Sequence, residues 1–421
     1  MASLIALLIF ISCYLLFVFL PAKRTIVAVL GALILLVSGT ILPAEAFWAI
    51  NWNVMGLFVG MLFVADVFMA SKVPAYLAEV IVDRAKNTAW AILLICLMTG
   101  FISAFVENVA TVLIIAPIAL SMAKKLKLNP VKMMIAIAIS SNLQGAATLI
   151  GDPPSMLLGG FMGMNFLDFF FYQGRPSIFW AVELGAVVSF LVLFLVFKNE
   201  RGKANLAMEE KIKSWFPTIL LVVLVMLLAS SSLYDQGFPY TAGSLCMLFG
   251  LVALVWDKFF NKKSFFSNLS SLDWETTIFL AGVFVLVGSL ALTGWIDLIS
   301  GYLAGVVGSN AALGFILIVL VSVILSAFID NVPYLAAMLP VASSVALKAG
   351  INPSLLLFGL LIGASLGGNI TPIGASANIV ACSLLKKEGY KVSFGEFFKI
   401  GFPFTVSAVA AAAIFLWFVW K

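Results

Sequence analysis

Two acid–amide pairs, Glu107-Asn108 and Asp330-Asn331, interrupt long apolar stretches with side chains that can bind and release a cation or a proton. A carboxylate at the centre of a bilayer costs roughly 2.5–3.5 kcal/mol even on a lenient insertion scale, which favours a functional reason for keeping it. The structural alternative is that both asparagines cap the helix that follows and that the acids favour its start.

Two further apolar segments, 130–161 and 352–384, contain Gly, Pro, Ser, Thr and Asn at their centres and are predicted to be broken helices. Backbone that leaves a helix inside a membrane must line a cavity or bind a ligand. Such oxygen-rich loops can ligate a cation, and the free N–H groups at each restarting helix attract an oxyanion. The candidate residues are Thr148, Gly151, Asp152 and Ser155 in the first break, and Asn369, Thr371, Gly374, Ser376 and Asn378 in the second.

The composition is that of a membrane protein, because 63% of the 421 residues are hydrophobic and only 10% are charged, against about 25% in soluble domains. The chain has no histidine, so a proton carrier inside the membrane must be Asp or Glu. Its four cysteines are isolated, which argues against disulfides and structural zinc. The net charge of +5 comes from loops between spans, so nucleic acid is excluded as a partner. We predict no cofactor.

The elements that must position these residues are apolar spans. Residues 89–123 and 311–345 are predicted to be re-entrant helical hairpins that carry the acid–amide pairs at their tips. We predict that the first apolar run is a retained helix and not a signal peptide. Full spans are predicted at 2–20, 25–42, 53–71, 177–197, 215–232, 241–258, 274–293 and 401–420.

The distribution of Lys and Arg supports this map of spans. It places 21 of them on one side of the membrane and 3 on the other. Because basic loops are retained in the cytoplasm, we expect a multi-pass protein of the cell (inner) membrane with both termini outside the cytoplasm.

The chain contains an internal repeat. Residues 103–152 align without a gap on 326–375 with 18 identities in 50 positions. An odd number of crossings separates the copies, so the second is predicted to be inverted. The fold class is therefore an all-α polytopic membrane protein with two inverted repeats, each with a re-entrant helical hairpin and a broken transmembrane helix. We assign one membrane domain, 1–421, comprising repeat 1 (25–197), a cytoplasmic linker (198–214) and repeat 2 (241–421).

Four motifs, SAFVENVAT, GAATLIGDPPS, SAFIDNVP and GGNITPIGASANIV, resemble the ion transporter superfamily. That superfamily includes the arsenite permease ArsB, the sodium/proton antiporter NhaD, the melanosomal P protein, and citrate and dicarboxylate carriers, and the chain most resembles the ArsB and P-protein branch. Ser155 departs from the motif, because many relatives have Asn there, and this weakens a sodium site at the first break. The resemblance implies cation or substrate contacts at Asn108, Thr148, Gly151 and Ser155, and at Asn331, Thr371, Gly374 and Asn378.

Three transport functions follow from the resemblance and the central acids. The first hypothesis is proton-coupled efflux of arsenite or antimonite, with Glu107, Asp152 or Asp330 titrating and a transported cation at Asn108 and Asn331. The second is sodium/proton antiport. The third is cation-coupled transport of an organic dicarboxylate, ranked last because no Arg or Lys lies in the broken loops.

Enzymatic activity is not expected, because the chain lacks the histidine or the known Asp-pair motif of an intramembrane protease. The expected partners are the lipid bilayer and a small inorganic solute or ion (arsenite or antimonite, proton or sodium). A homodimer and a cytoplasmic ATPase are further candidate partners.

Overall fold

The structure is a computed structural model, and it describes residues 2–126, 128–200, 202, 210–234, 240–262, 269–270 and 272–421. Residues 201 and 203–209 of the predicted linker 198–214 lie outside these residues, so Lys127, Arg201, Lys203 and Lys263 of the charge count lie outside them too.

The first half of the chain forms ten α-helices. A two-residue hairpin of β1 (Phe171–Tyr172) and β2 (Arg175–Pro176) precedes the last of them. The helices are α1 (Ala2–Phe19), α2 (Arg24–Val37), α3 (Pro43–Ala49), α4 (Trp52–Ala70), α5 (Val73–Asp83), α6 (Thr88–Ser103), α7 (Asn108–Leu126), α8 (Val131–Gly145), α9 (Pro153–Met162) and α10 (Ile178–Phe197).

The second half repeats this order from α11 onward. A single 3-10 turn, Gly368–Ile370, extends the end of its broken helix. The helices are α11 (Phe216–Ser231), α12 (Thr241–Phe260), α13 (Trp274–Leu292), α14 (Trp295–Val307), α15 (Ala311–Ser326), α16 (Asn331–Ala349), α17 (Pro353–Gly367), α18 (Ser376–Lys387) and α19 (Phe394–Trp420).

The predicted all-α polytopic fold is confirmed. Within the described residues, nine helices are long and apolar enough to cross a bilayer. The first arms of the two hairpins, α6 and α15, have 16 residues each, or about 24 Å of helix at 1.5 Å per residue. Both hairpins and both helix breaks form at the predicted places, although the repeat boundaries stay a prediction.

The two halves pack on each other reciprocally. Helix α4 packs against α12 while α2 packs against α13, and α9 contacts α16 while α18 contacts α7. Close approach is permitted by glycines, since a Cβ on Gly60 would meet the backbone of Cys246 and one on Gly282 would meet Ala28. Equivalent helices therefore make equivalent contacts, which is the arrangement that inverted repeats produce.

The core lies around the two broken helices. Of the 15 residues in each helix, 14 are buried in α17 and 13 in α8. The outer helix α1, by contrast, buries only Ala6, Cys13 and Phe17. A helix enclosed by other helices can leave its regular geometry where it meets polar protein groups and not lipid, which makes the breaks possible.

Three short helices and two helix boundaries differ from the predicted map. Helices α3, α5 and α14 are absent from it because their 7, 11 and 13 residues are shorter than the roughly 17 that a membrane span needs. Helix α2 ends at Val37 and not at the predicted 42. Helix α19 begins seven residues before the predicted 401, where Ser393 and Glu396 form a reciprocal capping box.

Candidate functional site

The acids at the hairpin tips begin the second arm of each hairpin. Glu107 accepts a hydrogen bond from the Ala110 N–H at 3.1 Å, and Asp330 accepts one from the Val332 N–H at 3.0 Å. The capping role is therefore filled by the acids and not by the asparagines, which corrects the structural alternative considered for Asn108 and Asn331.

Asn108 faces the first break instead. Its amide oxygen accepts a hydrogen bond from the Ser103 hydroxyl at 2.6 Å, and its backbone carbonyl accepts one from Ser141 at 3.3 Å. Any side chain at Gly145 would collide with the Asn108 amide. Asn331, the equivalent residue in the second hairpin, is also buried.

The break loops are fixed to the hairpin tips by equivalent threonines. Thr148 donates to the Ala104 carbonyl, and Thr371 donates to the Ala327 carbonyl. The neighbouring glycines, Gly151 and Gly374, lie so close to carbonyl groups that a Cβ would not fit. These predicted site residues therefore shape the loops, and their hydroxyls are already engaged.

The restarting helices are tied back to the ends of the preceding helices. Ser155 in α9 donates to the Gly145 carbonyl at 3.4 Å. Asn378 in α18 donates to the carbonyls of Gly368 at 3.0 Å and Thr371 at 2.9 Å. Asn378 spans its break with two hydrogen bonds where Ser155 makes one, so the second break is the more firmly held.

Asn142 joins the two halves of the chain at the centre, and it was not among the site residues predicted from the sequence. Its amide nitrogen donates to the side-chain oxygens of Asn369 at 3.0 Å and Asn378 at 2.9 Å, and all three residues are buried. The available signal was the polar run Ser140-Ser141-Asn142 inside an otherwise apolar helix. A buried asparagine that uses both amide protons fixes how the halves fit together.

The carboxylate of the first break interacts with the acids of both hairpin tips. Asp152 interacts electrostatically with Glu107 and Asp330 and accepts a hydrogen bond from Asn108. It is buried, and its second oxygen, Oδ2, has no hydrogen-bond partner. A buried unpaired carboxylate oxygen is costly, and here it is available to a cation or a proton.

One of these acids has a basic partner that sequence reasoning missed. Arg24, at the start of α2, forms an ion pair with Asp330 and also donates to Thr276 at 3.2 Å. The dicarboxylate hypothesis was ranked last because the broken loops carry no Arg or Lys, but the fold brings Arg24 from outside those loops to the second tip.

The ion pair has no equivalent in the other half. Gly60 and Gly282 are matching positions, and their contacts make Cys246 the counterpart of Ala28. The same spacing makes Ala242 the counterpart of Arg24. Arg24 forms an ion pair with Asp330 and also interacts electrostatically with Glu107, whereas its counterpart in the other half is an alanine.

The two restarting helices also differ at their N-termini. Pro153 and Pro154 occupy the first two positions of α9 and have no N–H groups to offer. In α18 the same positions are Ser376 and Ala377, and no side chain caps them. The expected anion-attracting N–H groups are thus missing at the first break and present at the second.

Asn369 adds a donor near the α18 N-terminus. Its amide nitrogen is buried and has no hydrogen-bond partner, while its oxygen is held by Asn142. The second break therefore has unpaired donors, whereas the first break has an unpaired carboxylate oxygen. Among the described residues no group of three or more Cys, Asp or Glu is arranged to hold a metal ion.

Comparison with known proteins assigns the chain to a family. A sequence profile described as "Citrate transporter" (CitMHS) matches residues 14–346 and 238–421. The chain belongs to the citrate transporter family. This CitMHS protein is 32% identical to an uncharacterized transporter of Mycobacterium bovis, over 99% of this chain and 98% of the relative. It is also 28% identical to the P protein of Mus musculus, over 93% of this chain and 57% of that protein.

Two solved transporters share the fold of this CitMHS protein. The YdaH transporter of Alcanivorax borkumensis superposes with a TM-score of 0.61 at 14% identity, covering 86% of this chain and 84% of that one. MtrF of Neisseria gonorrhoeae superposes with a TM-score of 0.57 at 16% identity, covering 95% and 85%.

These comparisons confirm part of what the sequence predicted. The chain is a multi-pass membrane transporter of the ion transporter superfamily, and its relatives are named as transporters and not as enzymes. The ArsB branch, the choice of membrane, the orientation of the termini, the homodimer and the ATPase partner stay predictions.

Proposed function

We propose that the protein is a secondary carrier that couples a cation to the movement of a small organic carboxylate. The observation that carries this proposal is the difference between the two breaks, since the second has unpaired donors and the first has an unpaired carboxylate oxygen. A substrate carboxylate suits the N–H groups of Ser376 and Ala377 and the Asn369 amide. The coupling cation suits Asp152 and Glu107.

The family profile also favours a carboxylate substrate. It is that of citrate transporters, whereas the comparisons give no support to arsenite or antimonite efflux, the first hypothesis from the sequence. The third hypothesis therefore moves to first place. Under this proposal Thr148, Thr371, Ser155 and Asn378 maintain the two loops, and Asn108 and Asn331 face the cation and the substrate.

The test is a substrate panel in proteoliposomes with imposed proton or sodium gradients. We expect a radiolabelled di- or tricarboxylate to accumulate when one of these gradients is present and to stop accumulating when it is dissipated. Glu107→Gln and Asp152→Asn should uncouple or abolish accumulation, whereas the exposed Glu388→Gln should not. Sodium-dependent proton movement without any carboxylate would instead establish an antiporter, and gradient-driven arsenite accumulation would restore the first hypothesis.

A further inference from the structure

A cavity of about 600 Å³ lies between α6, α8, α10 and α19, beside the first helix break. Several of its lining side chains are among the most exposed on the surface, with Phe101 at 67%, Val187 at 64% and Leu191 at 60%. These positions belong to apolar helices, so the cavity opens sideways into the lipid. A ligand that reaches it has to partition into the bilayer first.

The cavity has an apolar body and one charged wall. In the described part of the chain, Glu183 is the sole charged residue among those that line it. Glu183 accepts a hydrogen bond from Gln144, the residue before the first helix break. Glu183 is half-buried and is the sixth residue of the apolar helix α10, where a carboxylate is expensive without a counter-charge, and the described residues that line the cavity provide no cation.

Aromatic rings surround the charged wall. Phe170 and Phe179 pack with their centroids 4.4 Å apart, and Phe101 and Phe105 pack at 5.7 Å. All four line the cavity together with Glu183. Aromatic faces beside a carboxylate form a binding environment for an organic ammonium group. The volume lies within the range of ligand pockets, roughly 300–1,000 Å³.

We propose that this cavity is a binding site for a lipophilic cation, an amphiphile whose ammonium group pairs with Glu183 and whose alkyl chain fills the apolar body. A lipid acyl chain would fill the same volume but would leave Glu183 without a counter-charge. The site is also placed to influence the carrier, because Ala104 lines the cavity and its carbonyl holds Thr148 of the first break.

The test is equilibrium dialysis of radiolabelled dodecyltrimethylammonium against the intact protein in zwitterionic nanodiscs, with empty nanodiscs as the partition background. We expect binding that unlabelled compound displaces, and Glu183→Gln should weaken it by about tenfold or more, as expected for loss of a desolvated charge pair. Dodecanol has the same chain without the charge and should bind wild type and Glu183→Gln equally. The exposed Glu388→Gln controls for the loss of a surface acid.

A second variant separates a filled cavity from a misfolded protein. Ala186→Phe should block both compounds while the protein keeps its elution volume on size exclusion and its thermal midpoint within a few degrees. If the cation binds wild type and Glu183→Gln equally, or if dodecanol displaces it as well as the unlabelled cation does, the cavity is a lipid acyl-chain slot and the proposal is overturned. Absence of displaceable binding in the wild type overturns it too.

Discussion

At the scale of single residues, the amide of Asn142 joins the first half of the chain to the second helix break. It holds the oxygens of Asn369 and Asn378 at the same time and so orients the unpaired amide nitrogen of Asn369. A buried acceptor that loses its donor costs roughly 1–3 kcal/mol. The geometry of the second break therefore depends on a residue from the first half of the chain.

We expect Asn142→Ala to destabilise the protein by about 1–3 kcal/mol, because it leaves two buried oxygens without donors. The measurement is the thermal midpoint in detergent. Ser189→Ala is the matched control, since within the described residues this buried hydroxyl donates to the Ala186 carbonyl of its own helix at 3.2 Å. An Asn142→Ala midpoint equal to that of the control would show that the bridge contributes nothing.

The pair of Arg24 and Asp330 allows a second prediction at this scale. The side chains are only 20% and 23% exposed, so each single substitution, Arg24→Gln or Asp330→Asn, leaves a poorly solvated charge behind. We expect the double variant to lose less stability than the sum of the singles, with a coupling of roughly 0.5–3 kcal/mol. Additive losses would mean that the two groups do not stabilise each other.

The acids and amides of the site could be predicted from the sequence, but the contacts that each of them makes could not. Glu107, Asp152 and Asp330 stand out because charge is rare in apolar segments. Arg24 does not stand out, since a basic residue between two spans is what membrane orientation alone requires. Only the three-dimensional structure shows that the Arg24 side chain reaches an acid 306 residues away.

At the scale of helices, the close contacts of α4 with α12 and of α2 with α13 depend on glycine. A Cβ at Gly60 would meet backbone atoms of Cys246, which cannot move aside as a flexible side chain would. The sequence showed that Gly60 and Gly282 match between repeats, but the helices that they approach are set by tertiary packing. Periodicity alone does not identify them.

We predict that Gly60→Ala separates α4 from α12 and lowers stability by about 1–3 kcal/mol, the usual cost of overpacking. Gly305→Ala in α14 is the matched control, because nothing lies within 4 Å of the position where its Cβ would be. The control should gain up to about 1 kcal/mol from helix propensity. Both effects are measured as shifts of the thermal midpoint, and equal shifts would contradict the packing described here.

At the scale of the whole molecule, the orientation of the repeats in the bilayer can be tested directly. The charge asymmetry predicts Lys213 and Lys387 on the cytoplasmic side and Lys348 on the opposite side. In a cysteine-free background, we expect a membrane-impermeant maleimide to label Lys348→Cys in intact cells. Lys213→Cys and Lys387→Cys should react only after permeabilisation, and labelling of those two from opposite sides would contradict the inverted arrangement.

The repeat also explains which parts of the fold could be predicted. Gly, Asn and Pro match at corresponding positions, so both hairpins and both breaks are legible in the sequence. Helices α5 and α14 could not be predicted in this way, because short amphipathic segments resemble loops when only long apolar spans are sought. The difference between Pro153-Pro154 and Ser376-Ala377 was visible as residues, but its meaning required the observation that both pairs begin a helix.

The Arg24 ion pair has no equivalent in the other half, and this bears on which conformation an empty alternating-access carrier would prefer. Two identical halves in opposite orientation would give the inward-open and outward-open forms equal free energy. With Arg24 in one half and Ala242 in the other, exchanging the roles of the halves breaks an attraction and forms none in return. Since about 1.4 kcal/mol shifts a population tenfold, we expect the unloaded molecule to favour the form in which Arg24 pairs with Asp330.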